Sequence, residues 1–78
     1  MADIMERRKH LKIKLKALRV NAELTQEEAA SELGITKRTL QKWEDYQTSP
    51  TGAQLTRMAN LYGCTLDDIF LPDPLAKS

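Results

Sequence analysis

Two helix start signals, Thr25 and Thr36, stand on either side of Gly34, and this arrangement restricts the possible folds more than any other feature of the chain. Thr25 and Glu28 have the spacing of a capping box. The Thr25 hydroxyl accepts from the Glu28 backbone N–H, and the Glu28 carboxylate reaches back to the Thr25 N–H. Glu27 and Glu28 also bring negative charge to the positive end of the helix dipole. The helix is expected to stop near Leu33, because Gly34 suits a left-handed C′ position. Thr36 then supplies the N-cap of a second helix. Helices joined by so few residues cannot lie antiparallel, so they must cross steeply as a helix-turn-helix. Ala29 and Ala30 are small enough to let the second helix approach closely.

That second helix should run from Lys37 to about Asp45. Leu40 and Trp43 face inward together with Leu33 and Ile35. Lys37, Arg38, Gln41 and Lys42 share the opposite face, since 37/41 and 38/42 are i,i+4 pairs. Lys37 and Arg38 occupy the first turn, where each cation opposes the dipole by about 0.3–1 kcal/mol. Stability alone would favour Asp or Glu there, so the placement points to a binding face. An ordinary solvated turn would explain it for an isolated helix; next to a steeply crossed partner helix that explanation loses ground.

The residues Leu18-Arg19, Leu24-Thr25-Gln26-Glu27-Glu28-Ala29-Ala30, Leu33-Gly34-Ile35-Thr36, Leu40 and Trp43-Glu44 resemble the Cro and phage-repressor helix-turn-helix family, also called the xenobiotic-response-element type. The resemblance continues through Ser49-Pro50, Leu55, Met58-Ala59, Tyr62-Gly63-Cys64 and Leu66-Asp67-Asp68-Ile69-Phe70, covering roughly Leu11 to Phe70. It implies an all-α, compact five-helix bundle in a single domain over residues 1–71, with helices near 4–21, 26–33, 37–45, 51–62 and 66–70 and a tail at 72–78. The first helix would carry an apolar stripe of Leu11, Leu15, Leu18 and Ala22. The fourth would open at Ser49-Pro50 or Thr51, because proline is favoured at N1 and Thr51 with Gln54 has capping-box spacing. It would bury Leu55, Met58, Ala59 and Tyr62 and end at Gly63. A short fifth helix, capped by Thr65, would have Leu66, Ile69 and Phe70 as its apolar residues and Asp67 and Asp68 at its positive end, and Pro72 and Pro74 would close the structured region.

The same resemblance implies the roles of individual residues. Arg19 and Glu44 should form a partly buried ion pair tying the first helix to the reading helix. Gln26 matches the glutamine that holds a phosphate and braces the reading helix. Lys37, Arg38 and Lys42 match base-reading positions, with Gln41 beside them. An Arg38 guanidinium offers a bidentate fork to guanine O6 and N7, so a preference for guanine is expected. Thr36 and Thr39 would reach phosphates or cap locally. The implied partner is double-stranded DNA, bound by a homodimer whose reading helices stand about 34–36 Å apart. One departure from the family is visible in the loop Asp45-Tyr46-Gln47-Thr48-Ser49-Pro50. Tyr46 stands where a glycine is expected and no cation follows, so the left-handed turn is either strained or replaced. Phosphate contacts there fall to the neutral donors Gln47, Thr48 and Ser49.

Composition sets the outer limits. A chain of 78 residues has room for one small core. Net charge is only +1, but it is unevenly distributed. From Arg7 to Trp43 there are ten Lys/Arg against four Glu, a net +6, while Glu44 to Ser78 holds two against five, a net −3. The basic half is the one with the reading face. The cluster Arg7-Arg8-Lys9-His10-Leu11-Lys12-Ile13-Lys14-Leu15-Lys16 is best read as a solvated helix face that adds long-range attraction; its cations are not confined to one side, as a membrane-surface helix would need. Glu32 reads as ordinary surface. No run approaches the roughly 20 apolar residues of a membrane span, so a cytoplasmic protein is expected. Lone Cys64 reads as a structural thiol. One His and one Cys cannot build a common zinc site, and no Gly-rich phosphate loop is present, so no enzyme activity, cofactor, metal or small-molecule substrate is expected. Two functions stay open: a transcriptional regulator of phage or prophage type, and a protein-binding module such as an antitoxin or accessory partner. Leu61, Leu71 and Leu75 could serve the second or form the dimer contact of the first.

Overall fold

Local capping chemistry sets most of the element boundaries in the computed structural model, which describes residues 12–71. Four α-helices follow one another: α1 Leu15–Asn21, α2 Gln26–Leu33, α3 Lys37–Glu44 and α4 Gly52–Tyr62. At the start of α2 both halves of the capping box form, with Glu28 N–H donating to Thr25 Oγ1 at 3.1 Å and Thr25 N–H to Glu28 Oε1 at 2.9 Å. Gly34 ends α2 at φ 71° and Gly63 ends α4 at φ 72°, both left-handed positions where a Cβ would be strained. Thr36 and Thr51 cap α3 and α4 by accepting from the N–H of Thr39 and Gln54. Pro50 is therefore not the first helical residue. It lies outside the helix, because Thr51 is the residue with a cap to offer.

The expected fifth helix does not form. Leu66–Asp68 is a single 3-10 turn, and the chain then runs extended through Ile69–Phe70. That segment, β2, pairs in parallel with Ile13–Lys14, β1, in the register Ile13 with Ile69 and Lys14 with Phe70. Among the described residues the first helix accordingly begins at Leu15, because Lys14 is extended at ψ 149° to make this ladder. Ile4 to Leu11, including the Leu11 end of the expected stripe, lies outside the described residues. The physical reason for both differences is shared. A helix over the five residues 66–70 would make little more than one turn, whereas two extended residues seat Ile69 in the core and satisfy their backbone groups across the ladder. Thr65 stands at the N-cap of this turn, as expected, and its N–H and its hydroxyl both donate to Asp68 Oδ2, at 3.0 Å each. Those bonds hold the Asp68 carboxyl below the usual carboxylate range.

The core lies where α1, α2, α3 and α4 converge. Leu15, Leu33, Leu40 and Met58 are fully buried, with Leu18, Ala29, Ala30, Trp43, Ala59, Tyr62 and Ile69 around them. The two alanines leave room for α3 to press against α2. Leu55, Cys64, Leu61 and Leu71 pack against this core from its edge, so Leu61 and Leu71 are only partly available as contact surface, and Leu75 lies outside the described residues. The large apolar side chains left exposed are Ile13, Val20, Leu66 and Phe70. Burial pushes the half-buried Cys64 thiol up, away from the reactive thiolate form. Among the described residues no helix is long and apolar enough to cross a membrane.

Tyr62 carries a buried hydroxyl with no hydrogen-bond partner among the described residues. Burial, followed by the nearby Glu44 charge, pushes this phenol up to about 12 from its ordinary 10. Because the folded value is raised, its neutral-form stabilisation is complete below pH 10 and is lost as pH climbs toward about 12. Tyr62→Phe should therefore stay within about 0.5 kcal/mol of the parent at neutral pH, since no bond is lost. Urea unfolding followed from pH 8 to 12 should show the variant gaining on the parent only above pH 10.

Candidate nucleic-acid interface

Lys37, Arg38 and Gln41 are exposed on α3 and Lys42 is half-buried beside them, while Leu40, Trp43 and Glu44 point into the protein. The face on which the sequence places its cations is thus the solvent face of the helix. Behind it lies the ion pair. Arg19 Nε donates to Glu44 Oε2 at 2.6 Å, with side-chain exposures of 8% and 2%, and Arg19 Nη2 lies 3.4 Å from Glu44 Oε1. The remaining guanidinium nitrogen, Nη1, donates to the Leu24 carbonyl at 2.8 Å, tying the turn after α1 to the same group.

Glu44 also orders the surface. Its Oε1 accepts from Gln26 Nε2 at 3.0 Å, and Gln26 Oε1 accepts from Gln41 Nε2 at 3.2 Å. Because a carboxylate only accepts, it forces the amide nitrogen of Gln26 toward itself and leaves the Gln26 oxygen facing α3. Gln41 must then present a nitrogen inward, which keeps its Oε1 and second N–H for other partners. A relay of fixed polarity therefore runs from the buried pair to the exposed face. Gln26 and Gln41, assigned different tasks by sequence reasoning, are in direct contact.

Lys37 is engaged as well. Its Nζ lies 2.9 Å from Glu27 Oε2, both side chains being well exposed, and this bond holds the Glu27 carboxyl below its usual range. Sequence reasoning treated Glu27 only as a dipole complement. Gln26 meeting the C-terminal half of α3 and Glu27 its first residue mean that α2 begins across the flank of α3. Thr36 and Thr39 use their hydroxyls locally: Thr36 Oγ1 accepts the Thr39 N–H and the two hydroxyls share a bond of 2.9 Å. At the other end, Arg38, Gln41, Lys42 and Gln47 line a polar cleft of about 200 Å³ together with Asp45, a carboxylate that sequence reasoning had only at the helix end. Thr48 and Ser49 are exposed in the loop that follows. Lys12, from the N-terminal basic cluster, donates to the Asp67 carbonyl at 2.8 Å, while Lys14 and Lys16 are exposed.

Of the two outcomes open for the glycine-less loop, the structure has the strained one. Tyr46 sits at φ 59°, where a side chain costs about 1–2 kcal/mol. Its ring meets Phe70 edge to face at 5.9 Å, and its hydroxyl donates to the Phe70 carbonyl at 3.1 Å. Such an aromatic pair contributes about 0.5–1.5 kcal/mol and a net hydrogen bond about as much, so the strain is offset. Burial raises the Tyr46 phenol, against a smaller lowering by the Leu15 backbone. The loop carrying Gln47 and Thr48 is thereby fastened to β2.

The family model described as Helix-turn-helix matches residues 15–69, which is more than half of the chain and includes every group in this relay. A search of curated proteins finds no match. Among the described residues no three His, Cys, Asp or Glu side chains are grouped as a metal site would need.

Arg19→Met keeps the aliphatic stem but leaves the Glu44 charge buried without its partner. It should lower unfolding stability by about 3–5 kcal/mol. Arg19→Met combined with Glu44→Met should lose less than the single change, because no bare charge remains. Denaturant melts of the three proteins check both statements.

Proposed function

The chain belongs to the Cro/C1-type, xenobiotic-response-element family of helix-turn-helix proteins, and from that premise we propose that it is a sequence-specific DNA-binding transcriptional regulator that reads the major groove with α3. The observation that carries the reading is the polar relay. Arg19 and Glu44 fix Gln26, Gln26 fixes Gln41, and the exposed cations stand beside them. Nothing in the packing of the domain requires this ordering of an exposed amide. A reading helix does, because base edges are distinguished by donor and acceptor position.

In this reading Arg38 addresses guanine O6 and N7 with two parallel N–H groups, and Lys37 or Lys42 donates to the same acceptors. Gln41, with an oxygen and an N–H in hand, matches the donor and acceptor pair on the adenine edge. Gln26 holds a phosphate with its second amide proton, and Gln47 and Thr48 do the same as neutral donors from the Tyr46 loop. Thr36 and Thr39 are retained at the phosphates through hydroxyls whose local bond can exchange for an anion. Two copies would bind a two-fold operator with α3 helices about 34–36 Å apart, one turn of DNA. A phage or prophage Cro-like role and a cytoplasmic location fit this activity.

Selection from a randomised duplex pool at two salt concentrations should enrich an inverted repeat with guanines about one helical turn apart. Replacing Lys37, Arg38 and Lys42 together by Ala should abolish that preference while the circular dichroism spectrum and melting midpoint are kept. An unselective pool with only weak, salt-sensitive retention would instead favour a module that binds another protein. A triple variant that still bound its partner would carry the same meaning.

A further inference from the structure

The pair between Lys37 and Glu27 is placed against a simple DNA-binding role for that lysine. Lys37 is the first residue of α3, where the helix dipole disfavours a cation, while Glu27 lies in the first turn of α2, where the dipole favours a carboxylate. The carboxylate is therefore the better-held partner, and the ammonium comes to it at 2.9 Å. The hydrogen bond to Lys37 lowers the Glu27 carboxyl.

Resting on the DNA reading above, we propose that Glu27 is a specificity determinant that withholds Lys37 from the phosphate backbone while leaving it able to donate to a base edge. The ammonium has three donors, and Glu27 occupies one of them. A guanine edge is neutral and offers two acceptors, so Lys37 can address it with its remaining N–H groups and keep Glu27. A phosphate is different. Drawing Lys37 onto it breaks the pair and strands the Glu27 carboxylate beside a polyanion, and a lysine already neutralised releases little counterion. The pair thus weakens sequence-blind attraction more than it weakens reading. An exposed pair has a modest effect of about two- to fivefold in affinity, enough to tune a ratio without endangering the fold.

The test measures binding of the full chain, by fluorescence anisotropy at two salt concentrations, to the duplex it selects from a random pool and to an unrelated duplex. Glu27→Gln should tighten binding to the unrelated duplex about two- to fivefold and steepen its salt slope by about one unit. The ratio between selected and unrelated duplex should fall. Glu32→Gln removes the same charge from the same helix at a residue not bonded to Lys37, and it should shift both duplexes alike and less. With Lys37→Gln already present, Glu27→Gln should do no more than Glu32→Gln does. Equal effects of Glu27→Gln and Glu32→Gln, or a selectivity ratio unchanged by Glu27→Gln, overturn this inference alone. A parent protein that selects no duplex overturns it together with the DNA reading.

Discussion

Arg19 and Glu44 are the charged side chains buried among the described residues, and each needs the other at that depth. Two charges taken out of water lose several kcal/mol of hydration apiece, which only close geometry and further hydrogen bonds recover. Here the geometry comes from two different elements, α1 and the end of α3, and the further bonds come from the Leu24 carbonyl and the Gln26 amide. A rotation of α3 that moved Glu44 by a few ångströms would leave both charges unsatisfied. The pair therefore sets the rotation of α3, where apolar contacts alone would tolerate several. Hydrophobic packing of Leu40 and Trp43 says which side of α3 faces in; the ion pair says by how much.

The Tyr46 loop shows a comparable exchange of one constraint for another. A glycine would adopt the left-handed turn after α3 freely, but it would leave the loop without an anchor. Tyr46 accepts the strained conformation and gains an edge-to-face contact and a hydrogen bond to Phe70. The gain reaches further than the loop, because Phe70 belongs to the ladder that also holds the entry to α1. The C-terminal end of α3 is consequently tied to both ends of the described chain. Were Gln47 and Thr48 to donate to phosphates as proposed, a loop so fixed would lose little further entropy on binding, which would partly make up for its lack of cations.

What could be read from the sequence follows from distance along the chain. The Thr25–Glu28 box, the Thr36 and Thr51 caps and the left-handed Gly34 and Gly63 all involve groups within a few residues of one another, and the residue types dictate them. The core face of α3 and its exposed cations follow from helical period in the same way. Arg19 with Glu44 was legible only through the family resemblance, since no local rule joins residues so far apart. The missing fifth helix and the two short strands were not legible, because the five apolar and acidic residues 66–70 suit a helical turn and an extended pair equally. Only the position of Ile13 in space decides between them. Tyr46 was visible as an anomaly, but its compensation lies at Phe70 and needed the fold to be seen. Glu27 lies in the first turn of α2 as its place in the sequence implies, but its bond to Lys37 was not legible: the partner stands at the head of another helix, and only the crossing of the two brings them together.

These features bear jointly on how such a domain would discriminate among DNA sequences. Attraction to any duplex scales with the number of cations free to replace counterions, whereas preference for one sequence depends on donors and acceptors held in place. This chain economises on the first quantity. Its net charge is +1, the loop after α3 carries no cation, and Lys37 is partnered by Glu27. It invests instead in position, through a buried pair that orders Gln26 and, through it, Gln41. If α3 lies in a major groove as proposed, weak non-specific binding is then part of the same design as its reading face. In a genome crowded with competing sites, the ratio of the two affinities decides occupancy, and lowering the sequence-blind term raises that ratio as surely as adding a base contact.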